Sequence, residues 1–307
     1  WKEKLSDSLG ILHPTTDVNN YQYKVLGNTN ILTKIGTRIS NKTGFEYSSS
    51  FYNADLKKSI LDYQSLQNFV SQDGNTYELN AYDQIRINFS DKFSSVIGLH
   101  FLYYDLTKAT SIEPRTGIKW KISDKNTLSA AFGIHSQSEI PFIYLAEQQI
   151  NSNTVLPNIN LKLSKSQHYV IGFDHQLNKY TRIKVEPFFQ YLYNIPVIPD
   201  SYYSILNLES GWFFNDSLIN KGKGHNLGID FTFERFLKDG IYYLFTASLF
   251  DSKYIGGDGV ERATRFNRQY VVNLLGGKEW QLGKNKNNTF SINGKLNLMG
   301  GQRYNPI

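Results

Sequence analysis

Polar and apolar side chains alternate along most of this chain, and no other feature limits its possible folds as strongly. Successive residues of a β-strand point to opposite faces, so alternation over many residues predicts strands with two chemically different faces. From residue 30 onward the pattern recurs in about twelve segments of about 9 to 14 residues. In one of them a set with three large apolar side chains opposes four charged ones: Pro114, Thr116, Ile118, Trp120 and Ile122 against Glu113, Arg115, Lys119 and Lys121.

The alternation assigns candidate residues to the two faces of a membrane wall. We expect the apolar face to meet lipid through Ile118, Trp120, Phe132, Ile183, Phe189, Phe231 and Leu296. The charged face would line a lumen, because so many unpaired charges could not enter a dry core. Its members are Glu113, Arg115, Lys119, Lys121, Arg182, Lys184, Glu186, Asp230 and Glu234. One strand pattern, residues 77–89, carries an exception on its apolar side at Asp83.

Short and long connections alternate between the segments. Turn-forming residues predict tight turns at 41–44, 90–92, 123–126, 178–179, 237–240 and 283–288. Longer loops are expected at about 57–75, 106–111, 138–164, 194–222 and 255–266. Outer-membrane barrels have this asymmetry, with short periplasmic turns and long external loops. The sequence therefore predicts an all-β fold: the wall of an antiparallel up-and-down transmembrane β-barrel.

Composition and aromatic placement agree with this interpretation. Aromatic residues make up 15% of the chain, and several stand near strand ends, as the pairs Tyr77 with Phe89 and Phe93 with Tyr103 do. Barrels carry such aromatic girdles at both membrane interfaces. The mean hydropathy of −0.41 does not argue against a membrane, because an alternating wall averages to a low value.

Other functional classes are disfavoured by the same sequence. The formal charge of +6 is too small an excess over 307 residues to indicate nucleic-acid binding. The chain has no cysteine, which excludes disulfides and thiolate-bound metals. Its six histidines show no HExxH or strand-type spacing of two, and no GxSxG sequence occurs. We therefore expect no metal, no cofactor and no catalytic activity.

The long loops offer the best candidate ligand contacts. They combine aromatic rings with carboxylates, a pairing suited to sugars, siderophores or peptides. The candidate ligand-binding residues are Phe142, Tyr144, Tyr202, Tyr203, Trp212 and Phe213. The alternative for each of them is packing between loops that stiffens the outer mouth.

Both chain ends indicate a piece of a longer polypeptide. Trp1 is followed by Lys2 and Glu3 without a signal-peptide pattern, and the chain stops directly after a strong strand pattern. We expect residues 1–307 to form one partial barrel domain. Residues 1–29 would be a preceding loop or strand, and the last strands would lie beyond residue 307.

Several runs resemble a known family, the TonB-dependent outer-membrane receptors. The runs IEPRTGIKW at residues 112–120 and TLSAAFGIHSQ at 127–137 resemble the mid-barrel hairpin of that family. Further runs resemble its successive later strands: SQHYVIGFD at 166–174, FFQYLYNIPV at 188–197, GHNLGID at 224–230, ASLFDSKY at 247–254 and MGGQRYNPI at 299–307. The likeness extends from about residue 25 to the end. It is strongest to members with an N-terminal carboxypeptidase-regulatory-like domain.

The resemblance implies a barrel of about 22 strands that encloses an N-terminal plug. It also implies an external site for a scarce small solute, such as a siderophore, glycan, vitamin or peptide. Uptake would be energised by the inner-membrane TonB complex through a TonB box, and neither plug nor box lies in this chain. The alternative is a passive porin or an adhesin-type structural barrel, which would lack a plug.

Overall fold

The computed structural model describes residues 2–59, 65–151, 153–207 and 216–303. Within them the chain is built almost wholly of strands, with one short α-helix, α1 (Pro141–Tyr144), and a 3-10 turn at Ile205–Asn207. The strands are β1 (Lys2–Ser6), β2 (Leu12–Ile35), β3 (Ile39–Lys58), β4 (Gln67–Asn88), β5 (Phe93–Tyr104), β6 (Ala109–Lys121), β7 (Asn126–Gln137), β8 (Gln148–Ile150), β9 (Asn153–Val155), β10 (Ser164–Asn178), β11 (Thr181–Val197), β12 (Ile219–Lys238), β13 (Ile241–Ile255), β14 (Glu261–Ala263), β15 (Tyr270–Leu282) and β16 (Asn288–Met299).

One antiparallel sheet holds nearly all of these strands. Its order is β1-β2-β3-β4-β5-β6-β7-β10-β11-β12-β13-β15-β16, with β14 beside β13, and β8 and β9 form a separate hairpin. Each long strand pairs with the next long one along the chain, which is the up-and-down topology that the alternation predicts. Twelve of the described strands have 12 or more residues, in agreement with the number of alternating segments. Residues 12–29 belong to β2, so the wall starts earlier than residue 30.

Most of the tight turns lie where turn chemistry places them, but the first prediction is wrong. Residues 41–44 lie inside β3, paired with β2 and β4, and the turn is made by residues 36–38. Gly36 has a φ of 65°, a left-handed conformation that glycine adopts at little cost. Gly240 and Asp239 show the same preference, with φ of 70° and 55° in a two-residue hairpin turn.

The second row of connections is longer, with two corrections. The connections between β7 and β10 and between β11 and β12 are long, but the connection predicted at 106–111 is a four-residue turn at 105–108. The loop predicted at 57–75 is too wide, because residues 67–75 extend β4 and pair with β3. Lys108, with a φ of 55°, closes this turn, and its ammonium lies 2.7 Å from an Asp105 carboxylate oxygen. Long loops therefore gather at one end of the wall, which we call the loop end. The opposite end, with the turns at 36–38 and 239–240, is the turn end.

Cross-strand register separates two faces across the whole sheet. The polar face is defined by residues that stand opposite one another on successive strands: Lys42, Gln84, Gly98, Arg115, Gly133, His168, Gln190, Asn226 and Ser252. The apolar face is defined by a neighbouring row: Ile85, Ile97, Thr116, Phe132, Tyr169, Phe189 and Leu227. Apolar-face side chains stay exposed, and Ile97 and Leu227 show 56% and 57% of their surface.

Ring contacts mark both borders of the apolar face. At the loop end Tyr77 lies 5.8 Å from Tyr47 and 5.9 Å from Tyr103, measured between ring centroids. Near the turn end the rings of Phe89 and Phe93 are 5.6 Å apart. Aromatic rings thus border an exposed aliphatic band on both sides, which is the arrangement expected at two membrane interfaces.

Asp83 is the polar exception within this band. It lies on β4 midway between Tyr77 and Phe89, on the apolar face. Asn41 donates to both of its carboxylate oxygens at 3.0 and 3.1 Å, and the Thr43 hydroxyl donates as well. Residues 41–44, although turn-like in composition, therefore form part of a strand, where Asn41 and Thr43 donate hydrogen bonds to the Asp83 carboxylate.

The buried core lies under the long loop rather than between two layers of strands. Helix α1 carries Ile143 and Tyr144, which have no exposed surface and pack against polar-face residues Leu102 and Tyr104 of β5. A second cluster joins Phe142 and Leu145 to Leu56 of β3 and Val70 of β4. The loop 138–163 therefore folds over the polar face at the loop end.

No helix among the described residues is both long and apolar enough to cross a bilayer.

Candidate functional site

A buried carboxylate stands at the centre of the polar face. Glu113 on β6 is only 1% exposed, and its Oε2 lies 2.9 Å from His100 Nδ1 on β5. Arg115 donates to the same oxygen at 2.8 Å, two residues along the strand. The Arg115 side chain remains 43% exposed, so it joins the buried carboxylate to the open side of the face.

Across β7, β10 and β11 the polar face continues with histidine, serine and amide side chains. The rings of His135 and His168, on neighbouring strands, lie edge to face with centroids 4.7 Å apart. The Nε2 of His168 lies 2.8 Å from the Gln190 amide nitrogen and 2.9 Å from the Ser166 hydroxyl. Asn226 in turn donates to the Gln190 carbonyl oxygen. A hydrogen-bonded track therefore crosses strands β10 to β12.

Small residues open a depression beside this track. A cavity of about 280 Å³ is lined by Arg115, His135 and His168 together with Gly98, Gly117 and Gly133. A Cβ at position 133 would approach His135 Nε2 to 3.0 Å, so a side chain there would push the imidazole aside. Glycine on this face leaves room for a group that inserts between the polar side chains.

A second cavity lies between the polar face and the long loops. It has a volume of about 330 Å³, and its walls combine His135, Gln137, Glu139, Ser164, Ser166 and Gln190 with the aliphatic Leu192, Ile205 and Leu206. Apolar walls with a few converging polar groups are typical of small-molecule sites. We call this space the mouth cavity.

Hydrogen bonds between the two long loops hold the roof of the mouth cavity. The buried Asn158 amide donates to the carbonyl oxygen of Asp216 at 2.9 Å, and its own carbonyl accepts from the Leu218 backbone at 2.8 Å. Asn220 is linked to Lys162 in the same way. Loop 138–163 is further fixed to β4 because Glu147 accepts from the Ser71 backbone at 3.0 Å. The roof is therefore a packed unit rather than a set of independent loops.

Glu139 is the ionisable group that the roof encloses. Burial raises the pKa of the Glu139 carboxyl above its ordinary value of 4.5, while the hydrogen bond donated by Ser164 opposes the rise. Because the raised pKa favours the protonated acid in the folded loop, roof packing is most stable below pH 4.5. This stability falls as the pH rises through the raised pKa.

We therefore expect roof packing to weaken between acidic and neutral pH. Amide hydrogen exchange of residues 141–151 and 153–163, corrected for intrinsic rates, should show more protection at pH 4.5 than at pH 7.5. In Glu139→Gln, which cannot ionise, this difference should disappear. A response of equal size in the variant would assign the pH effect to another group.

Lower on the polar face, five further charged residues form local pairs. Arg182 donates to Glu234 at 2.7 Å and lies 3.5 Å from Asp174, and Lys184 lies 2.6 Å from Glu186. Towards the turn end, Lys119 and Lys121 border an open cleft of about 630 Å³. Register places all nine residues predicted for the charged face on the polar face, and all seven predicted to meet lipid on the apolar face.

The predicted ligand residues have different positions. Phe142 and Tyr144 are buried in the two loop clusters, so their visible contacts are packing contacts. Tyr202 is 60% exposed beyond the roof. Tyr203 is half-buried beside the roof. Burial raises the pKa of the Tyr203 hydroxyl to about 12. Trp212 and Phe213 lie outside the described residues. Ligand binding by these six side chains stays a prediction.

The sequence interpretation missed the partners on the polar face. The spacing of the six histidines does not indicate that His100 pairs with Glu113 or that His135 meets His168. These contacts join residues on adjacent strands, for instance His100 opposite Glu113. The alternating pattern of each strand could have placed each residue on the polar face, but pairing the residues requires the register.

In the described parts of the chain, no three His, Cys, Asp or Glu side chains lie close enough together to hold a metal ion.

The wall is similar to solved outer-membrane receptors and transporters. It matches the ferric-catecholate import receptor Fiu of E. coli K12 with a TM-score of 0.60 and 12% identity, covering 89% of this chain and 44% of that one. It matches the FrpB iron transporter of Neisseria meningitidis (F3-3 variant) with a TM-score of 0.57 and 13% identity, covering 93% and 48%. It matches the outer membrane transporter YddB of Escherichia coli with a TM-score of 0.55 and 14% identity, covering 92% and 47%.

The similarity concerns the fold. The described wall has the fold of a TonB-dependent receptor barrel, and it spans less than half the length of each of these three proteins. No family model matches the chain, and no curated protein matches it.

Proposed function

We propose that this chain is the barrel wall of an outer-membrane receptor that takes up a scarce solute, energised by the inner-membrane TonB complex. The observation that carries the proposal is the separation of the two faces over the whole sheet. An exposed aliphatic face bordered by aromatic rings suits a bilayer. The opposite face, with its hydrogen-bonded polar track, suits an aqueous or protein-filled lumen.

The mouth cavity is the proposed solute site. It opens near the loop end, and it offers hydroxyl, amide and imidazole groups beside aliphatic walls. Tyr202 and Tyr203 would extend this site outward, while Phe142 and Tyr144 would shape its roof. Ligand contact by Trp212 and Phe213 is proposed from the sequence alone. The named iron receptors of similar fold make ferric chelates the first solutes to test, followed by glycans, cobalamins and peptides.

A separate plug domain is the proposed partner of the polar face. Arg115 reaches from the buried Glu113 to the open side, and glycines leave a depression beside it. A polar domain in the lumen could insert side chains there and replace the water that charged groups require. A TonB box on that domain would connect the receptor to the inner membrane.

Uptake by cells that carry the full-length receptor tests the proposal. A deletion strain should lose growth on one of the candidate solutes when that solute is limiting, and the intact gene should restore growth. Because TonB coupling uses the proton gradient, a protonophore should stop uptake while leaving binding at the cell surface unchanged. Uptake that continues at full rate with the protonophore would support the alternative, a passive porin.

A further inference from the structure

Three lysines form a cluster on the apolar side of the wall, above the aromatic border at the loop end. They are Lys165 on β10 and Lys221 and Lys223 on β12. We call them the lysine cluster. Lys221 and Lys223 are exposed and Lys165 is half-buried.

Register shows that the three side chains share a face. Lys165 stands opposite Tyr193 on β11, and its neighbours Ser164 and Ser166 bond to polar-face residues Glu139 and His168. On β12 the neighbouring glycines 222 and 224 are buried against the polar-face side, and Lys221 and Lys223 point the other way. The lysine cluster therefore lies on the outside of the wall, not in the lumen.

These cations lack counter-charges in the described part of the chain, since no ion pair there includes any of them. The neighbouring basic group on the outer face differs in this respect. Lys253, opposite His225 on β12, lies 3.3 Å from Glu261 and 3.4 Å from Asp251. The wall thus neutralises Lys253 and leaves the adjacent lysine cluster open.

The depth of the lysine cluster follows from the residues below it. On the same face Tyr191 and Tyr193 stack with centroids 5.9 Å apart, next to the lysines. Below these rings come Leu227 and Ile229, which are 57% and 41% exposed. The order from aliphatic to tyrosine to lysine places the ammonium groups where lipid headgroups begin.

We propose that the lysine cluster binds the phosphate groups of a phosphorylated glycolipid headgroup in the outer leaflet. The inference rests on the outer-membrane location proposed above and not on solute transport. Lys221 and Lys223 are two residues apart on one strand, about 7 Å between Cα atoms, and Lys165 lies two strand spacings away, about 10 Å. Flexible lysine side chains can converge from such positions on one phosphate, and membrane surfaces attract basic side chains in this way.

The test measures binding of lipid A by the full-length receptor in nanodiscs of phosphatidylcholine. Bis-phosphorylated lipid A is the probe, and dephosphorylated lipid A is the comparison. Lys221→Gln with Lys223→Gln should weaken binding of the phosphorylated probe about 30-fold. Lys284→Gln with Lys286→Gln removes the same charge at the turn end and should leave binding unchanged.

Two further readouts make the result decisive. Lys221→Arg with Lys223→Arg should retain binding, and millimolar inorganic phosphate should not compete if the membrane-anchored headgroup is the ligand. Equal affinity of the lysine-to-glutamine variant and its turn-end control would overturn the inference, as would equal binding of dephosphorylated lipid A. Failure of the wild-type receptor to reach the outer membrane would instead contradict the proposed location.

Discussion

Phe231→Arg is expected to lower the free energy of unfolding of the full-length receptor in lipid vesicles by about 2–4 kcal/mol. Phe231 lies on the apolar face near the middle of β12, where its ring packs 6.1 Å from Phe245. An arginine there would place a guanidinium against hydrocarbon, and the cost of a charge is greatest at the bilayer midplane. Urea-driven unfolding measures the change.

Thr232→Arg is the matched control because it introduces the same side chain one residue away. Thr232 stands on the polar face opposite Lys184 and Thr246. An arginine at this position can reach water or a polar domain, so the expected loss is about 1 kcal/mol or less. Equal losses for the two variants would contradict the assignment of the apolar face to lipid.

Arg115→Leu is expected to cost about 3 kcal/mol, because it removes a partner from a buried charge. Glu113 is 1% exposed, and in the variant its Oε2 would keep the contact with His100 Nδ1 at 2.9 Å but lose the guanidinium. The same unfolding measurement in vesicles gives the loss. Adding Glu113→Gln to Arg115→Leu removes the unpaired carboxylate and should recover at least about 1 kcal/mol.

A solvated pair on the same face provides the comparison for this prediction. Arg182 and Glu234 are 36% and 21% exposed at the side chain, so water can replace the lost partner. Arg182→Leu should therefore cost about 1 kcal/mol or less. A loss equal to that of Arg115→Leu would show that burial of Glu113 is not the cause. Failure of the double variant to recover stability would show the same.

The strands and their faces could be predicted from the sequence with little loss. Alternation needs only the pleat of a single strand, in which neighbouring side chains point to opposite sides. For that reason the pattern of a single strand predicts Ile118 and Lys119 on opposite faces, and register places them so. The long connections predicted at 138–164 and 194–222 agree within a few residues with those between β7 and β10 and between β11 and β12.

The positions of the turns are harder to predict from the sequence, because the turn preference of local residues competes with pairing between strands. Residues 41–44 read as a turn by composition, but Asn41 and Thr43 gain hydrogen bonds to Asp83 when they are extended beside β4. The connection at 105–108 is short because Lys108 adopts a positive φ and pairs with Asp105. In both places a neighbouring strand or a single backbone conformation decided the outcome.

The candidate site depended more heavily on the tertiary structure. The place of Phe142 and Tyr144 in a long loop predicts ligand contacts, yet the loop folds back and buries Tyr144 against β5 and Phe142 against β3 and β4. The spacing of these residues does not predict that the loop folds back, because the folding back depends on contacts with strands far away along the chain.

By itself the sequence determined a β-wall with one apolar and one polar face, since that information is carried by neighbouring residues on each strand. Only the tertiary structure decided which polar residues meet. It joined His100 to Glu113, aligned His135 with His168 and folded a roof over the mouth cavity. The physical reason is register: a shift of one strand past its neighbour would keep every strand pattern but change every cross-strand partner.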